Sequence, residues 1–226
     1  LDFHKILDLR FNFLDFRLKN MPELPEVQTI VSDLQKILPR LEITDIQTDW
    51  KKMFKNISFD KFKKEVVEEK ILNIRRLGKN ILIDLNGNKT ILVHQKMTGH
   101  FLYGKWQLEN GKWLGREAGA IRDDPQNRFI HLMFDLSDGK QLALSDLRKF
   151  AKVLLWPTDK LDKLEDINNL GPDPTAEDFD LKKFQERLVS KKGRVKTVLM
   201  DQSVFAGIGN IYSDEILWLS GIHPMK

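Results

Sequence analysis

The spacing of apolar residues changes twice along this chain, and the two changes restrict its fold more than any other feature. Residues 25–38 have apolar positions at the i, i+3, i+4 and i+7 spacing of one helical face. They are Val27, Ile30, Val31, Leu34, Ile37 and Leu38. Pro25 suits a first helical turn, Glu26 favours its positive end, and Pro39 cannot continue a helix. The sequence therefore predicts an amphipathic helix from about residue 25 to residue 38.

From residue 41 to about residue 156 the helical spacing gives way to short apolar or β-branched runs. These runs are LEITDIQ, KILNIRRL, NILIDL, TILVHQKM, RFIHLMFDL, KQLALSDL and AKVLLW. Turn signals such as Asn86-Gly87-Asn88 and Ser137-Asp138-Gly139 separate several of them. Evenly spaced strands with short turns predict an antiparallel sandwich or barrel.

Residues 157–175 are predicted to be a linker, since they contain three of the eight prolines of the chain. Helical spacing returns beyond residue 176. The segments LKKFQERL, RVKTVLMDQ and NIYSDEILWLSG predict three helices, with Asp180 a candidate N-cap and Gly221 a stop signal. The predicted fold class is α+β and multidomain, with a β domain over residues 21–156 and a helical domain over residues 176–226.

Composition excludes several classes of protein. The chain has 226 residues and no cysteine, so it contains no disulfide framework and no thiolate metal site. No apolar run approaches the roughly 20 residues that span a bilayer, so we expect a cytoplasmic protein that does not contact a membrane. Residues 1–20 carry a charge every few positions and lack the apolar segment of a secretory leader. We expect them to be an upstream leader or artefact, and an additional helix or strand is the alternative.

The formal net charge is +4, and basic residues form two clusters. One cluster consists of Lys182, Lys183, Arg187, Lys191, Lys192, Arg194 and Lys196. The other consists of Lys70, Arg75, Arg76 and Lys79. Binding to a nucleic-acid backbone requires such clusters, and a solvated surface is the alternative for either cluster alone.

Three segments carry a resemblance to a known family. They are MPELPEV from residue 21, DLRKF from residue 146 and DQSVFAGIGNIYSDEILWLSGIHP from residue 201. With RRLGKNILIDL, HQKMTGHF, LGPDPTAEDF and KTVLMDQ between them, they resemble the formamidopyrimidine-DNA glycosylases. These bacterial enzymes excise oxidised purines such as 8-oxoguanine. The resemblance covers residues 21–226 and implies an N-terminal antiparallel β-sandwich with flanking helices, followed by a helix–two-turns–helix domain.

The resemblance gives Pro22 and Glu23 catalytic roles. A terminal Pro22 would be a secondary amine, and an α-amino group titrates near ~8, so part of it is nucleophilic at neutral pH. Attack on the sugar C1′ would displace the base, leave an iminium and permit β,δ-elimination of the strand. Glu23 would be the general acid and base, with Glu26 supporting it. This chemistry requires translation from Met21 and removal of that residue. From the heptapeptide alone, an ordinary helix entry is the alternative.

The resemblance also implies a set of residues that fills the gap left by an everted nucleotide. These are Met97 in HQKMTG, and Arg148 and Phe150 in DLRKF. Arg148 would donate hydrogen bonds to the orphaned cytosine, and Phe150 would wedge between base pairs. Without the family motifs, a lone Met or Phe at a strand end is more often a core residue.

Lys79 and Asn210 are expected to contact the DNA backbone. The resemblance also places Lys79 at the catalytic site. In AGIGN, Gly207 and Gly209 are expected to allow positive φ and to leave N–H groups facing a phosphate at a helix start. Lys196 matches a family lysine near the lesion. Tyr212 is expected to pack near the same site, and a core role is the alternative.

Two departures from the family pattern concern the end of the chain and the DLRKF segment. The family carries a C-terminal zinc finger of four cysteines, and we expect the chain to be truncated before it. No metal or other cofactor is therefore expected in these residues, and zinc is expected in the missing finger. Leu147 and Lys149 stand where the family usually has proline and arginine, and a small effect is expected.

The sequence thus predicts a bifunctional DNA glycosylase and abasic-site lyase that repairs oxidised purines by base excision. Its partner would be damaged double-stranded DNA, bound by a monomer associated with the bacterial nucleoid. One alternative is an endonuclease VIII-like glycosylase for oxidised pyrimidines. Another is a non-catalytic DNA-binding protein in which the leader blocks Pro22. An RNA-binding module is disfavoured because the aromatic residues are not arranged as stacking platforms on a sheet.

Overall fold

A computed structural model describes residues 22–117 and 121–226 of the chain. The expectations about residues 1–20 and Met21 lie outside the described residues. Within the described ranges, an N-terminal helix is followed by two packed sheets, a short helical segment and a helical domain. The predicted α+β fold, with a β-sandwich before a helical domain, is confirmed.

The predicted first helix is present as α1, Leu24–Ile37. Glu23 is its N-cap and forms a capping box with Glu26, whose side chain accepts a hydrogen bond from the Glu23 N–H at 3.0 Å. Pro25 occupies the first turn, where no N–H is needed for the helix. The apolar face of α1 is buried, and the helix packs against the second sheet.

Two four-stranded antiparallel sheets form the sandwich. The first has the order β1-β8-β9-β5, and the second has the order β10-β4-β3-β2. The strands are β1 Ile43–Thr48, β2 Ile71–Leu77, β3 Asn80–Leu85, β4 Lys89–His94, β5 Gly99–Gly104, β8 Ile130–Leu136, β9 Gln141–Asp146 and β10 Lys152–Pro157. A separate hairpin consists of β6 Trp106–Glu109 and β7 Lys112–Gly115. The seven predicted strands correspond to β1–β4 and β8–β10.

Residues from both sheets and from the flanking helices meet in one apolar core. Helix α2, Phe59–Val66, closes one side of it and inserts the buried Phe62. The Phe62 ring lies 4.7 Å from the Phe54 ring and 6.4 Å from the Phe134 ring. The inner strands β3, β4, β8 and β9 are buried along nearly their whole length, because further apolar residues cover the outer faces of the sheets as well.

The sequence did not predict α2, β5, β6 or β7. Helix α2 carries its own start signal, because the Ser58 side chain accepts a hydrogen bond from the Lys61 N–H. The turn between β6 and β7 contains Asn110 and Gly111, both with positive φ, which is a strong hairpin signal. These elements were overlooked because glycine and charged residues interrupt their apolar pattern.

The segment predicted to be a linker is packed against the sandwich. It contains a 3₁₀ turn over Thr158–Lys163 and the one-turn helix α3, Glu165–Asn168. Leu161 and Leu164 are buried on the outer face of the second sheet, against residues of β3, β4 and β10. This segment therefore adds a layer to the sandwich.

The helical domain contains α4 Leu181–Ser190, α5 Val195–Met200 and α6 Asn210–Leu219. Asp180 caps α4 as predicted, since its side chain accepts from the N–H groups of Lys182 and Lys183. The domain has its own apolar cluster, in which the Phe184 and Phe205 rings lie 4.6 Å apart. Across the described residues, the helices are too short or too polar to cross a bilayer.

Candidate active site and nucleic-acid interface

The side chain of Glu23 is buried at the junction of the sandwich and the helical domain, with 0% of the residue exposed. Its Oε2 accepts hydrogen bonds from the N–H groups of Gly209 at 2.8 Å and Tyr212 at 3.2 Å. Its Oε1 accepts one from the Ile211 N–H at 2.8 Å. A residue before α1 thus caps α6, whose own N-cap is Gly209. The positive end of α6 favours the carboxylate.

Gly209 is required by this contact. A Cβ on Gly209 would stand 2.3 Å from the Glu23 carboxyl carbon and 2.5 Å from the Lys79 Nζ. The prediction of positive φ at Gly209 is wrong, because its φ is −126°. The expectation that N–H groups at this helix start face a phosphate is also wrong for Gly209, Ile211 and Tyr212, since Glu23 accepts their hydrogen bonds.

Gly207 brings the two domains together at the same junction. Its φ is +96°, as predicted for this glycine, and a Cβ there would stand 2.4 Å from Leu24 Cδ1. The Leu24 N–H donates to the Gly207 carbonyl at 3.2 Å. Because Leu24 begins α1, the helix start that follows Glu23 is fixed against the turn that precedes α6.

Glu26 and Tyr212 form a second link across the junction. The Tyr212 hydroxyl donates to Glu26 Oε1 at 3.0 Å, while Glu26 Oε2 accepts from the Glu23 N–H. Burial raises the pKa of Tyr212, and the negative charge of Glu26 adds to this rise. Tyr212 therefore remains a neutral donor at physiological pH and fixes the position of the Glu26 carboxylate.

Lys79 lies in the turn between β2 and β3, directly after Gly78, which has a φ of +57°. Its Nζ lies beside Glu23, because a Cβ placed on Gly209 would be within 2.5 Å of both the Lys79 Nζ and the Glu23 carboxyl group. Burial lowers the pKa of Lys79, while the charges of Glu23 and Glu26 act in the opposite direction. The structure thus brings together Glu23, Glu26, Lys79 and Tyr212, and the half-buried Pro22 directly precedes this group.

Met97, Arg148 and Phe150 form an exposed cluster, called the wedge below. Arg148 Nη1 donates to Met97 Sδ at 3.0 Å, and the guanidinium lies 4.7 Å from the centre of the Phe150 ring. Met97 is 41% exposed and Phe150 is 51% exposed. Large apolar side chains that remain in solvent beside a cation suit contact with stacked bases.

Several residues of the two basic clusters have protein partners in this structure. Arg75 pairs with Asp84 at 2.7 Å, and Arg76 pairs with Asp173 at 2.5 Å. Lys196 donates to Asp214 Oδ1 at 2.6 Å, so its described partner lies on α6. Asn210 is exposed at the first residue of α6, where its side chain can reach a ligand.

The sequence reasoning missed other groups near the predicted site. His94 ends β4, and burial with the charges of Lys96, Lys152 and Lys79 lowers its pKa to about 3. The imidazole is therefore neutral at physiological pH, and its Nδ1 accepts from the Lys96 N–H at 3.0 Å. Asp146 was also missed, although an aspartate between a strand and a turn commonly binds the turn's own N–H groups.

In the described part of the chain, no group of three or more His, Cys, Asp or Glu side chains is placed to hold a metal ion. The zinc expected from the resemblance would be held by cysteines outside these 226 residues, and it stays a prediction.

A two-sheet sandwich and a helical domain thus meet at the buried Glu23, which directly follows the half-buried Pro22. The model for the formamidopyrimidine-DNA glycosylase N-terminal domain matches residues 21–153. The model for the H2TH domain of the same glycosylases matches residues 170–226. The chain belongs to the formamidopyrimidine-DNA glycosylase family.

Two curated relatives illustrate the extent of the similarity. The chain is 38% identical over 206 residues to the formamidopyrimidine-DNA glycosylase of Pelotomaculum thermopropionicum. It is 36% identical over 206 residues to that of Pediococcus pentosaceus. Each alignment covers 91% of this chain and 69% of the relative.

Solved structures of the Lactococcus lactis enzyme have the same fold. A complex with DNA containing an abasic site has a TM-score of 0.77 and 32% identity, over 91% of this chain and 69% of the other. A complex of the wild-type Lactococcus enzyme with DNA containing an oxidized pyrimidine has a TM-score of 0.77 and 33% identity, over 91% and 70%. The described fold is therefore that of a DNA-repair glycosylase.

Proposed function

We propose that this protein is a bifunctional DNA glycosylase and abasic-site lyase that removes oxidised purines from double-stranded DNA. The observation that carries the proposal is the position of the buried Glu23 carboxylate. N–H groups at the start of α6 donate to it, and Glu23 directly follows Pro22 in the chain. Family membership and the similarity to a Lactococcus complex with Fapy-dG DNA support the substrate class. The proposed place of action is the nucleoid of a bacterial cell, where the protein acts as a monomer.

The proposed nucleophile is the nitrogen of Pro22. It must first be released from the peptide bond to Met21, because an amide nitrogen has no available lone pair. The freed amine attacks the sugar C1′, the bond from C1′ to the base breaks, and the base leaves with a proton. The C1′–O4′ bond then breaks, O4′ takes up a proton from Glu23, and the electron pair of the Pro22 nitrogen completes an iminium. The iminium acidifies C2′, whose proton is lost as the 3′ phosphate departs. A second elimination then releases the 5′ phosphate.

Glu23 is the proposed general acid and base. Its two carboxylate oxygens accept hydrogen bonds from the N–H groups of Gly209, Ile211 and Tyr212. The three N–H donors hold the carboxylate in one orientation before the reaction begins, so the site is preorganised.

Lys79 and the wedge supply the proposed contacts to DNA. Lys79 lies next to Glu23 and carries a charge that can pair with a phosphate beside the lesion. Removing a nucleotide from the stack leaves a gap, and Met97, Arg148 and Phe150 project from the sandwich as a group that can fill it. Any zinc of the kind found in the family's finger would be held outside these 226 residues, which contain no cysteine.

Oxidised pyrimidines are the second candidate substrate class. The observation that favours them is the Lactococcus enzyme's complex with DNA containing an oxidized pyrimidine, at 33% identity to this chain. The PELPEV start and the Arg148 and Phe150 pair favour the purine branch by family resemblance. A non-catalytic DNA-binding role would follow if Pro22 remained bonded to Met21.

A substrate comparison tests the proposal with the protein that begins at Pro22. Duplexes containing 8-oxoguanine opposite cytosine, thymine glycol opposite adenine, or no lesion would be incubated with it, and strand cleavage would be followed. We expect cleavage at 8-oxoguanine to be fastest and to yield β,δ-elimination products. The same chain with Met21 retained is the matched control and should be inactive. Equal activity with Met21 retained would contradict the proposed nucleophile.

A further inference from the structure

A single buried carboxylate closes the loop that carries two of the three wedge residues. Asp146 ends β9 and is 1% exposed. Its Oδ2 accepts from the Ala151 N–H at 2.7 Å, and its Oδ1 accepts from the Arg148 N–H at 3.2 Å. Its carbonyl also accepts from the Lys149 N–H at 3.1 Å. Both ends of the loop are therefore fixed to one residue.

Thr98 connects this loop to the third wedge residue. Its hydroxyl donates to Asp146 Oδ1 and accepts from the Arg148 N–H at 3.1 Å. Thr98 directly follows Met97, and the next residue, Gly99, is the cross-strand partner of Asp146. The Arg148 N–H thus has two acceptors, one from each of the loops that carry the wedge.

The loops need this support because their backbone is strained. Lys149 has a φ of +57° and Lys96 has a φ of +57°. Residues other than glycine rarely adopt this left-handed conformation unless the surrounding structure maintains it. One strained residue lies between Arg148 and Phe150, and the other precedes Met97, so a change in either loop would move the wedge.

We infer that Asp146 and Thr98 are positioning residues that hold Met97, Arg148 and Phe150 in the geometry needed to enter the DNA stack. Neither residue is assigned a contact with the reacting sugar or the base. The inference rests on the proposed function, because it concerns the opening of the duplex that precedes base excision. A preorganised wedge loses less conformational freedom when it enters the DNA.

Two substitutions at Thr98 separate the hydroxyl from the size of the side chain. Thr98→Val keeps the branched shape and removes both hydrogen bonds, whereas Thr98→Ser keeps the hydroxyl. Asp146→Asn is a stronger change, because its NH₂ group must face either the Ala151 N–H or the bonds to Thr98 and Arg148. Asp146→Asn is a useful second variant, but its fold must be verified by thermal unfolding.

The test compares excision of 8-oxoguanine from a duplex with excision from a bubble, where mismatched neighbours already leave the lesion unstacked. For Thr98→Val we expect kcat/KM on the duplex to fall about tenfold, because the two hydrogen bonds that connect the wedge loops through the hydroxyl are lost. On the bubble it should change less than about twofold, and Thr98→Ser should restore most of the duplex activity. For Asp146→Asn a duplex loss of roughly 10- to 100-fold is expected.

Unchanged duplex activity in Thr98→Val would overturn the inference, and so would an equal loss on both substrates, which indicates general damage to the fold. Failure of the proposed function has a different signature, because the unmodified protein would then cleave neither substrate. In that case, 2-aminopurine placed beside an uncleavable abasic analogue still reports the wedge. Its fluorescence should rise on binding to the unmodified protein and to Thr98→Ser, and less with Thr98→Val.

Discussion

The junction around Glu23 and the wedge are built in opposite ways. Glu23 is completely buried, and its three N–H donors lie 186 to 189 residues further along the chain in the helical domain. Phe150 is half exposed, and the wedge contacts join residues about 50 apart within the sandwich, with Arg148 and Met97 separated by 51 positions. The geometry around Glu23 therefore depends on the packing of two domains, while the geometry of the wedge depends on two loops.

The largest expected effect comes from a substitution at the junction. Glu23→Gln removes the proposed acid and base and turns an NH₂ group towards the N–H donors of α6. Base excision should fall roughly 10²- to 10⁴-fold, the usual contribution of general acid–base catalysis. Single-turnover kinetics on an 8-oxoguanine duplex would measure the loss. Glu186→Gln, at an exposed position on α4, is the control and should retain full activity.

The second-largest expected effect is a loss of folding stability on substitution of Arg76, which should leave the wedge intact. The side chain of Arg76 is 7% exposed and donates to Gln28, the Gly78 carbonyl and Thr175, besides pairing with Asp173. Arg76→Gln leaves the Asp173 charge without its partner and should lower the free energy of unfolding by about 2–3 kcal/mol. Chemical denaturation would measure it.

Arg122→Gln is the control for that substitution, since Arg122 is exposed. Its free energy of unfolding should stay within about 0.5 kcal/mol of the unmodified protein. If Arg76→Gln were equally mild, the contacts of Arg76 would not be needed for stability and its side chain would be available for DNA.

Removing the exposed ring of the wedge should affect duplex opening and leave stability unchanged. Phe150→Ala is expected to lower excision from a duplex about 10- to 100-fold, because the stacking that replaces the everted nucleotide is lost. Phe129→Ala is a matched control, since Arg128 lies 4.7 Å from the Phe129 ring, the same separation as in the wedge. A comparable loss in Phe129→Ala would contradict a specific role for Phe150.

The smallest expected effect is a pH-dependent change at Lys79. Burial lowers the pKa of Lys79, so charging this side chain costs stability below its folded pKa. Between the folded pKa and the ordinary value of 10.5, the unfolded chain binds more protons, and stability rises with pH. Lys79→Met lacks this cost and should unfold at a slightly higher temperature at pH 7.

The advantage of Lys79→Met should shrink as the pH approaches 10.5, and DNA affinity should fall at every pH. Thermal unfolding at pH 7 and pH 10 measures the first expectation, and a binding titration measures the second. If Lys79→Met unfolded at a lower temperature at pH 7, the attraction of Glu23 and Glu26 would outweigh burial.

Most of the sandwich could be predicted from the sequence because its strands are continuous apolar runs. Strands β5 and β7 were missed because glycines stand where the backbone approaches another segment. A Cβ on Gly99 would lie 2.4 Å from the Gln95 carbonyl oxygen, and one on Gly115 would lie 2.6 Å from that of Ile121. Close approach of this kind is a tertiary property that local spacing does not reveal.

Family motifs identified the residues of the candidate site, but the contacts between those residues were not predicted. The residues Glu23 and Gly209 were identified, but the reason given for the glycine was wrong, because its partner is a carboxylate 186 residues away. No local pattern encodes such a contact. Arg76 was assigned to a basic cluster, whereas its partner Asp173 lies beyond the sandwich in the chain. Charge clusters in a sequence therefore do not indicate which cations remain free.

Borohydride trapping would show which amine of the protein is the nucleophile. The protein that begins at Pro22 would be incubated with an 8-oxoguanine duplex and borohydride, digested with a protease and analysed by mass spectrometry. We expect one reduced adduct between the sugar and the peptide that begins at Pro22. An adduct on Lys79 or another lysine, or no adduct while excision proceeds, would contradict it.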